Sequence, residues 1–144
     1  MSKKVGLIVP YDYKLLSIAA ILEVFETANK LHQETEKPFD IMIFQSEEQI
    51  IEKQLFGYEV QPIESSDINL NLILIPAFTT DNMNTMIAKN KKFIPWLQKQ
   101  HQLGAELASF CTGAFLFAAS GLLNEKLATT HVDACSAFTK AFPL

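Results

Sequence analysis

Two short aliphatic runs constrain this chain most: VGLIV at Val5–Val9 and LNLILI at Leu70–Ile75. A strand with one wet face alternates polar and apolar residues. Runs that do not alternate belong to strands buried on both faces, which is the situation of a parallel sheet with helices on each side. Pro10 and Pro76 close the two runs, and a third, Ala105–Phe110, leads straight into Cys111-Thr112-Gly113. Between them the apolar spacing is helical. Leu15, Leu16, Ile18, Ala19, Leu22, Val24, Phe25 and Ala28 predict a helix to about Leu31. Met83–Gln102 reads as a second helical stretch, with Asp81 as its N-cap and Pro95 as a kink or a division into two. A third helix is expected over Ala114–Leu123 and a short last one over Asp133–Ala141. Phe39–Phe44 reads as a strand, Glu47–Ile63 as a weak hairpin or short strands around Gly57, and Lys126–Thr130 as a short strand. The alternation predicts an α/β fold, doubly wound, with a mostly parallel sheet and helices on both faces.

The 144 residues suit one domain spanning 1–144. A net charge of −4 speaks against this segment gripping nucleic acid, which needs a basic face. No apolar run is long enough to span a bilayer, and the N-terminal MSKKVGLIVPYDYK reads as a first strand, not a leader. Cys111 and Cys135 have no metal-like spacing, so a reducing cytoplasm is expected, with no metal and no cofactor. The KNKKF cluster (Lys89–Phe93) reads as a solvated helix face, and Phe110, Phe115 and Phe117 follow core spacing.

Ligands in doubly wound folds sit at the carboxyl ends of the strands. Three junctions meet there: Pro10–Ser17, Pro76–Thr80 and Phe110–Gly113. A cysteine between a strand and a helix start faces free N–H groups and the positive end of the helix dipole, a setting that favours thiolate. Gly113 lets backbone pass close by. The other reading of Cys111 is a small buried hydrophobe. His131, past one helix and a strand, can fold back to the same end as an orienting base, or can simply bond backbone. His32 and His101 sit in polar stretches and read as solvent-facing.

SFCTGAFLFAASGLLNEKLATTH (Ser109–His131) and LLSIAAILEVFETAN (Leu15–Asn29) together resemble signatures of the ThiJ/PfpI superfamily, the class I glutamine amidotransferase-like domains. The likeness is greatest to the N-terminal domain of AraC-type transcription regulators and to isonitrile hydratases. It implies a catalytic pair, Cys111 and His131, and a pocket lined by Ser17, Ala77, Phe78, Thr112 and Gly113, with Asp12 as a substitute acid. It also implies further strands and a helix beyond the LATTH segment, so that the sheet edge left open calls for a covering subunit.

Two departures weigh against catalysis. The family's acid in the first helix is Ser17 here, which cannot accept a proton as a carboxylate does. The family's Pro-Gly-Gly, whose backbone helps form an oxyanion hole, reads Pro76-Ala77-Phe78, in which Ala77 still offers an N–H and Phe78 adds bulk. Glu23, six residues past Ser17, lies on another helix face. Thr112 matches a residue implicated beside the cysteine in isonitrile hydratases; otherwise its hydroxyl serves a free N–H at the helix start. The resulting expectation is a ligand-sensing domain with a degenerate amidase-like pocket. Its expected partners are a small-molecule effector, a second copy in a homodimer, and DNA only through a further C-terminal domain; no membrane is expected. The alternatives are an active cysteine enzyme on C–N bonds and a redox-sensing thiol.

Overall fold

A computed structural model describes residues 1–143. Six strands form one sheet: β1 (Lys3–Ile8), β2 (Phe39–Gln45), β3 (Gln54–Leu55), β4 (Tyr58–Pro62), β5 (Leu72–Ile75) and β6 (Glu106–Ser109). Their spatial order is β3-β4-β2-β1-β5-β6. Every pairing is parallel except β3 with β4, a small hairpin at the edge. Counted among themselves, the five parallel strands run 3-2-1-4-5, and the direction of winding reverses between β1 and β5. That reversal is the switch point at which such sheets open a crevice.

The five α-helices are α1 (Leu15–Leu31), α2 (Met83–Lys89), α3 (Phe93–Gln102), α4 (Gly113–Ala119) and α5 (Cys135–Ala141). Among the described residues α1 is the helix that covers one sheet face, with residues of the β3–β4 hairpin beside it. Val5, Leu7 and Val9 of the first strand and its end pack there with Ile18, Ile21 and Leu22. The other face carries Ile8, Phe44, Ile73 and Ile75 against Met86, Phe93, Trp96, Leu97, Phe115 and Leu116 from α2, α3 and α4. The alternation of Leu7 and Ile8 between the two clusters is the two-sided burial expected of an aliphatic run. Phe138 of α5 and Phe142, just past its end, pack edgewise onto Phe115 at ring separations of 5.1 and 6.1 Å. On the α1 side, the Tyr58 hydroxyl donates to Glu26 at 2.6 Å, tying β4 to the helix. Burial first, and the Glu26 carboxylate second, hold its phenol above its ordinary pKa.

Several expectations need correction. The Met83–Gln102 stretch divides at Asn90–Lys92, not at Pro95, which sits in the first turn of α3 where its missing N–H costs nothing. The N-cap is Asn82, whose side chain accepts the Thr85 N–H, and not Asp81. The lysines of the KNKKF cluster are exposed as expected, but the cluster spans the break between α2 and α3 and buries Asn90 and Phe93, so it is not one continuous helix face. α4 ends at Ala119, four residues early, because Gly121 turns the chain at positive φ. Lys126–Thr130 forms no strand and runs exposed, with only Thr130 partly covered. Phe110 is 41% exposed and is not a core residue.

Candidate functional site

The three junctions predicted to meet do meet, and they are stitched through backbone. After β1 the chain turns at Asp12, which has a left-handed φ of 55°. Tyr13 then forms an isolated antiparallel bridge with Phe78. Lys14 N–H donates to the Ala77 carbonyl at 2.9 Å, and Thr79 N–H donates to the Asp12 carbonyl at 2.8 Å. The β6 end joins the same cluster through Phe110 N–H on the Ile75 carbonyl at 3.0 Å.

Cys111 occupies the corner with φ 54°, a conformation costly for a residue with a Cβ. Its partly exposed thiol has no hydrogen-bond partner among the described residues. The first N–H groups of the following turn do not point at it. Gly113, Ala114 and Phe115 donate back to the carbonyls of Phe110, Cys111 and Thr112. Gly113 is required by space. A Cβ there would lie 2.5 Å from the Ile75 carbonyl oxygen and 2.6 Å from that of Pro76. The absence of a side chain is what lets α4 start against the end of β5.

Two hydroxyls close the neighbouring loop. Ser17 Oγ accepts the Ala77 N–H at 3.0 Å. Thr112 Oγ1 accepts the Phe78 N–H at 3.0 Å and donates to the Phe78 carbonyl at 2.8 Å. The Ala77 N–H, expected to be on offer, is therefore occupied. The Phe78 side chain, expected as bulk in the pocket, is 1% exposed and belongs to the core. Ser17 binds backbone and not the cysteine sulfur, and Thr112 serves the β5 loop and not its own helix. Ala77, Phe78 and Gly113 are buried packing residues.

His131 does return toward this end of the sheet, since Thr130 Oγ1 donates to the Cys111 carbonyl at 2.9 Å. Its ring, however, accepts the Asp133 N–H at Nδ1, 3.2 Å away, and caps the single 3-10 turn Val132–Ala134. No hydrogen bond links His131 to Cys111 among the described residues. The Asp12 carboxylate pairs with Lys89 at 3.1 Å. Beside it an open cavity of about 370 Å³ is lined by Asp12, Thr79, Thr80, Asp81, Asn82, Thr85 and Met86. Sequence reasoning found Asp12 and placed the junction holding Thr79 and Thr80 at this end of the sheet, but missed Asp81, Asn82 and Thr85, because loop residues without periodicity give no sign of where they gather. Among the described residues no cluster of three His, Cys, Asp or Glu side chains is placed to hold a metal.

Strand order, switch point and a strained cysteine elbow define a doubly wound α/β sandwich. Two solved structures share that fold over nearly all of this chain. A protein from Vibrio parahaemolyticus designated a transcriptional regulator superposes with a TM-score of 0.75 at 22% identity, covering 99% of this chain and 74% of its own. An AraC family transcriptional regulator from Pseudomonas putida gives 0.71 at 16% identity, covering 98% and 73%. At these identities the likeness is one of fold. No family model matches the sequence, and no curated protein does.

Proposed function

We propose that this chain is a ligand-sensing regulatory domain of the AraC type, built on a ThiJ/PfpI-like elbow whose catalytic apparatus is degenerate. The observation that carries this reading is the closure of the Ala77 and Phe78 N–H groups by the hydroxyls of Ser17 and Thr112. Donors meant for a developing oxyanion have to be free to reach it. Here they are satisfied internally, and among the described residues neither an acid nor a histidine is hydrogen-bonded to the cysteine thiol. The likeness in fold to two transcriptional regulators supports the regulatory half of the reading.

The effector site proposed is the cavity beside the switch point. Its carboxylates, threonine hydroxyls and asparagine amide suit a small polar molecule bearing amine or hydroxyl groups. Binding there would bias the geometry of the β1 and β5 loops, and through them the arrangement of two copies. DNA contact is assigned to a further domain, in keeping with the acidic balance of this one. A cytoplasmic setting goes with two free cysteines. No helix is long and apolar enough to cross a membrane among the described residues.

A second reading, a cysteine enzyme acting on C–N bonds, is favoured by one feature. Cys111 keeps a strained backbone, and strain of this kind gathers at reactive sites. The deciding experiment offers the protein a panel of small amides, isonitriles, amines and polyols, and follows both turnover and thermal shift. The regulatory reading expects a shift from an amine or polyol that Asp12→Ala abolishes, with no turnover. Turnover that disappears in Cys111→Ala would replace it with the enzymatic one.

A further inference from the structure

The walls of the cavity beside the switch point carry charge of one sign. Asp12 and Asp81 line it among threonine hydroxyls and the Asn82 amide, and among the described residues no lysine or arginine does. Asp81 has no ion-pair partner among the described residues. Asp12 has one, and it reaches in from outside the walls. Lys89, in the last turn of α2, places its Nζ 3.1 Å from the Asp12 Oδ2. The chain thus already seats a primary ammonium on this carboxylate, and the second carboxylate is left unanswered.

The end of α2 holds the Asp12 loop by two links of unlike strength. Buried Asn90 accepts the Tyr11 N–H on Oδ1 at 2.8 Å and donates from Nδ2 to the Met86 carbonyl at 3.0 Å. Breaking that link would strand a buried polar group, which is costly. The Lys89–Asp12 pair is about half exposed on both sides, so it forms and breaks at little cost. The buried link keeps the loop in place while the exposed one exchanges.

We propose that Lys89 is a tethered competitor for the effector, and that the effector is a primary amine in its ammonium form. The inference rests on the reading of this cavity as the effector site. A free ammonium takes the place of Nζ on Asp12, and Asp81 and the threonine hydroxyls offer acceptors for its remaining N–H bonds. A neutral polyol cannot answer the charge of Asp12 and so leaves the Lys89 pair in place. An anion is opposed by both carboxylates. Displacement frees the Lys89 side chain beside the break between α2 and α3, so filling the cavity changes the charge presented by that surface.

Titration of the whole chain at low salt with ethanolamine and with ethylene glycol, followed by the backbone amide shifts of Asp12 and Thr79 to Asn82, tests it. Ethanolamine is expected to bind and ethylene glycol to bind far more weakly. Lys89→Met, at a half-exposed site that the fold tolerates, tightens ethanolamine binding by about two- to five-fold, the most that so exposed a pair withholds. Lys89→Arg keeps a competing cation and gives no such gain. Lys91→Met removes the same charge from an exposed neighbour and gives none either. Ethylene glycol bound as tightly as ethanolamine overturns the ammonium and leaves the cavity an effector site. Equal affinities for Lys89→Met and wild type, or an equal gain from Lys91→Met, overturn the competition alone. No shift from either compound, in wild type or Lys89→Met, overturns the inference together with the reading of the cavity.

Discussion

Asp12 and Cys111 end β1 and β6 in nearly the same way, with φ values of 55° and 54°. Asp12 lies four residues beyond the end of β1 and Cys111 two beyond the end of β6; each precedes a helix, yet they differ in what the corner costs. Aspartate is among the few residues that visit the left-handed region readily, because its short polar side chain compensates locally. Its carboxylate also reaches Lys89 at 3.1 Å. Cysteine has no such compensation. The β6 corner is held instead by its surroundings: Gly113 fitted against two carbonyls, Thr112 bonded twice to Phe78, and Thr130 on the Cys111 carbonyl. One corner is made by its own residue, and the other is imposed by its neighbours.

The comparison is broken most severely at Gly113. Gly113→Ala places a methyl group within 2.6 Å of two carbonyl oxygens of β5 and its exit, neither of which can move without disrupting the strand end. A loss of more than about 3 kcal/mol is expected in urea unfolding. Thr112→Val keeps the shape and removes the hydroxyl, leaving the N–H and carbonyl of buried Phe78 without their partner. A loss of about 2 kcal/mol is expected, and Thr112→Ser should recover most of it. A Thr112→Val protein as stable as wild type would mean that the imposed corner does not depend on this bond.

This contrast also marks how far the sequence could be read. The strands, the helices and the meeting of three junctions were legible because aliphatic runs and helical spacing are periodic, and because proline and glycine punctuate them. The roles of Ser17, Ala77 and Phe78 were not. Whether an N–H is free depends on which hydroxyl folds over it, and that is a property of three loops together. The exposure of three apolar residues of α1 was hidden for a related reason. Leu15, Leu16 and Val24 look the same in sequence as Ile18 and Leu22, and only the sheet decides which side is inside. Lys126–Thr130 has strand-like composition, but no neighbouring strand pairs with it.

A smaller effect, opposite in sign, would sharpen the comparison. Glycine adopts positive φ without the Cβ penalty of about 1–2 kcal/mol, but costs about 0.5–1 kcal/mol more to order from the unfolded chain. Cys111→Gly should therefore stabilise the protein slightly, by about 0.5 kcal/mol, because the neighbours have been sustaining a cysteine against its preference. Chemical denaturation in reducing buffer, with Cys135→Ala in both proteins, would read this directly. A destabilised Cys111→Gly would show that the thiol makes packing contacts worth more than the strain.

Asp12→Gly completes the pair and should behave differently. Aspartate already tolerates the conformation, so less strain is relieved. The substitution also removes the Lys89 pair, whose members are about half exposed (50% and 51% for Lys89 and Asp12) and therefore worth less than about 1 kcal/mol. The net change expected is a small loss, about 0.5 kcal/mol or less, fading as added salt screens the ion pair in the wild type. Lys89→Met separates the two contributions, since it breaks the pair and leaves the backbone alone. If Asp12→Gly stabilises as much as Cys111→Gly, the corners are equivalent, and the strain at the cysteine loses its claim to be a feature of the site.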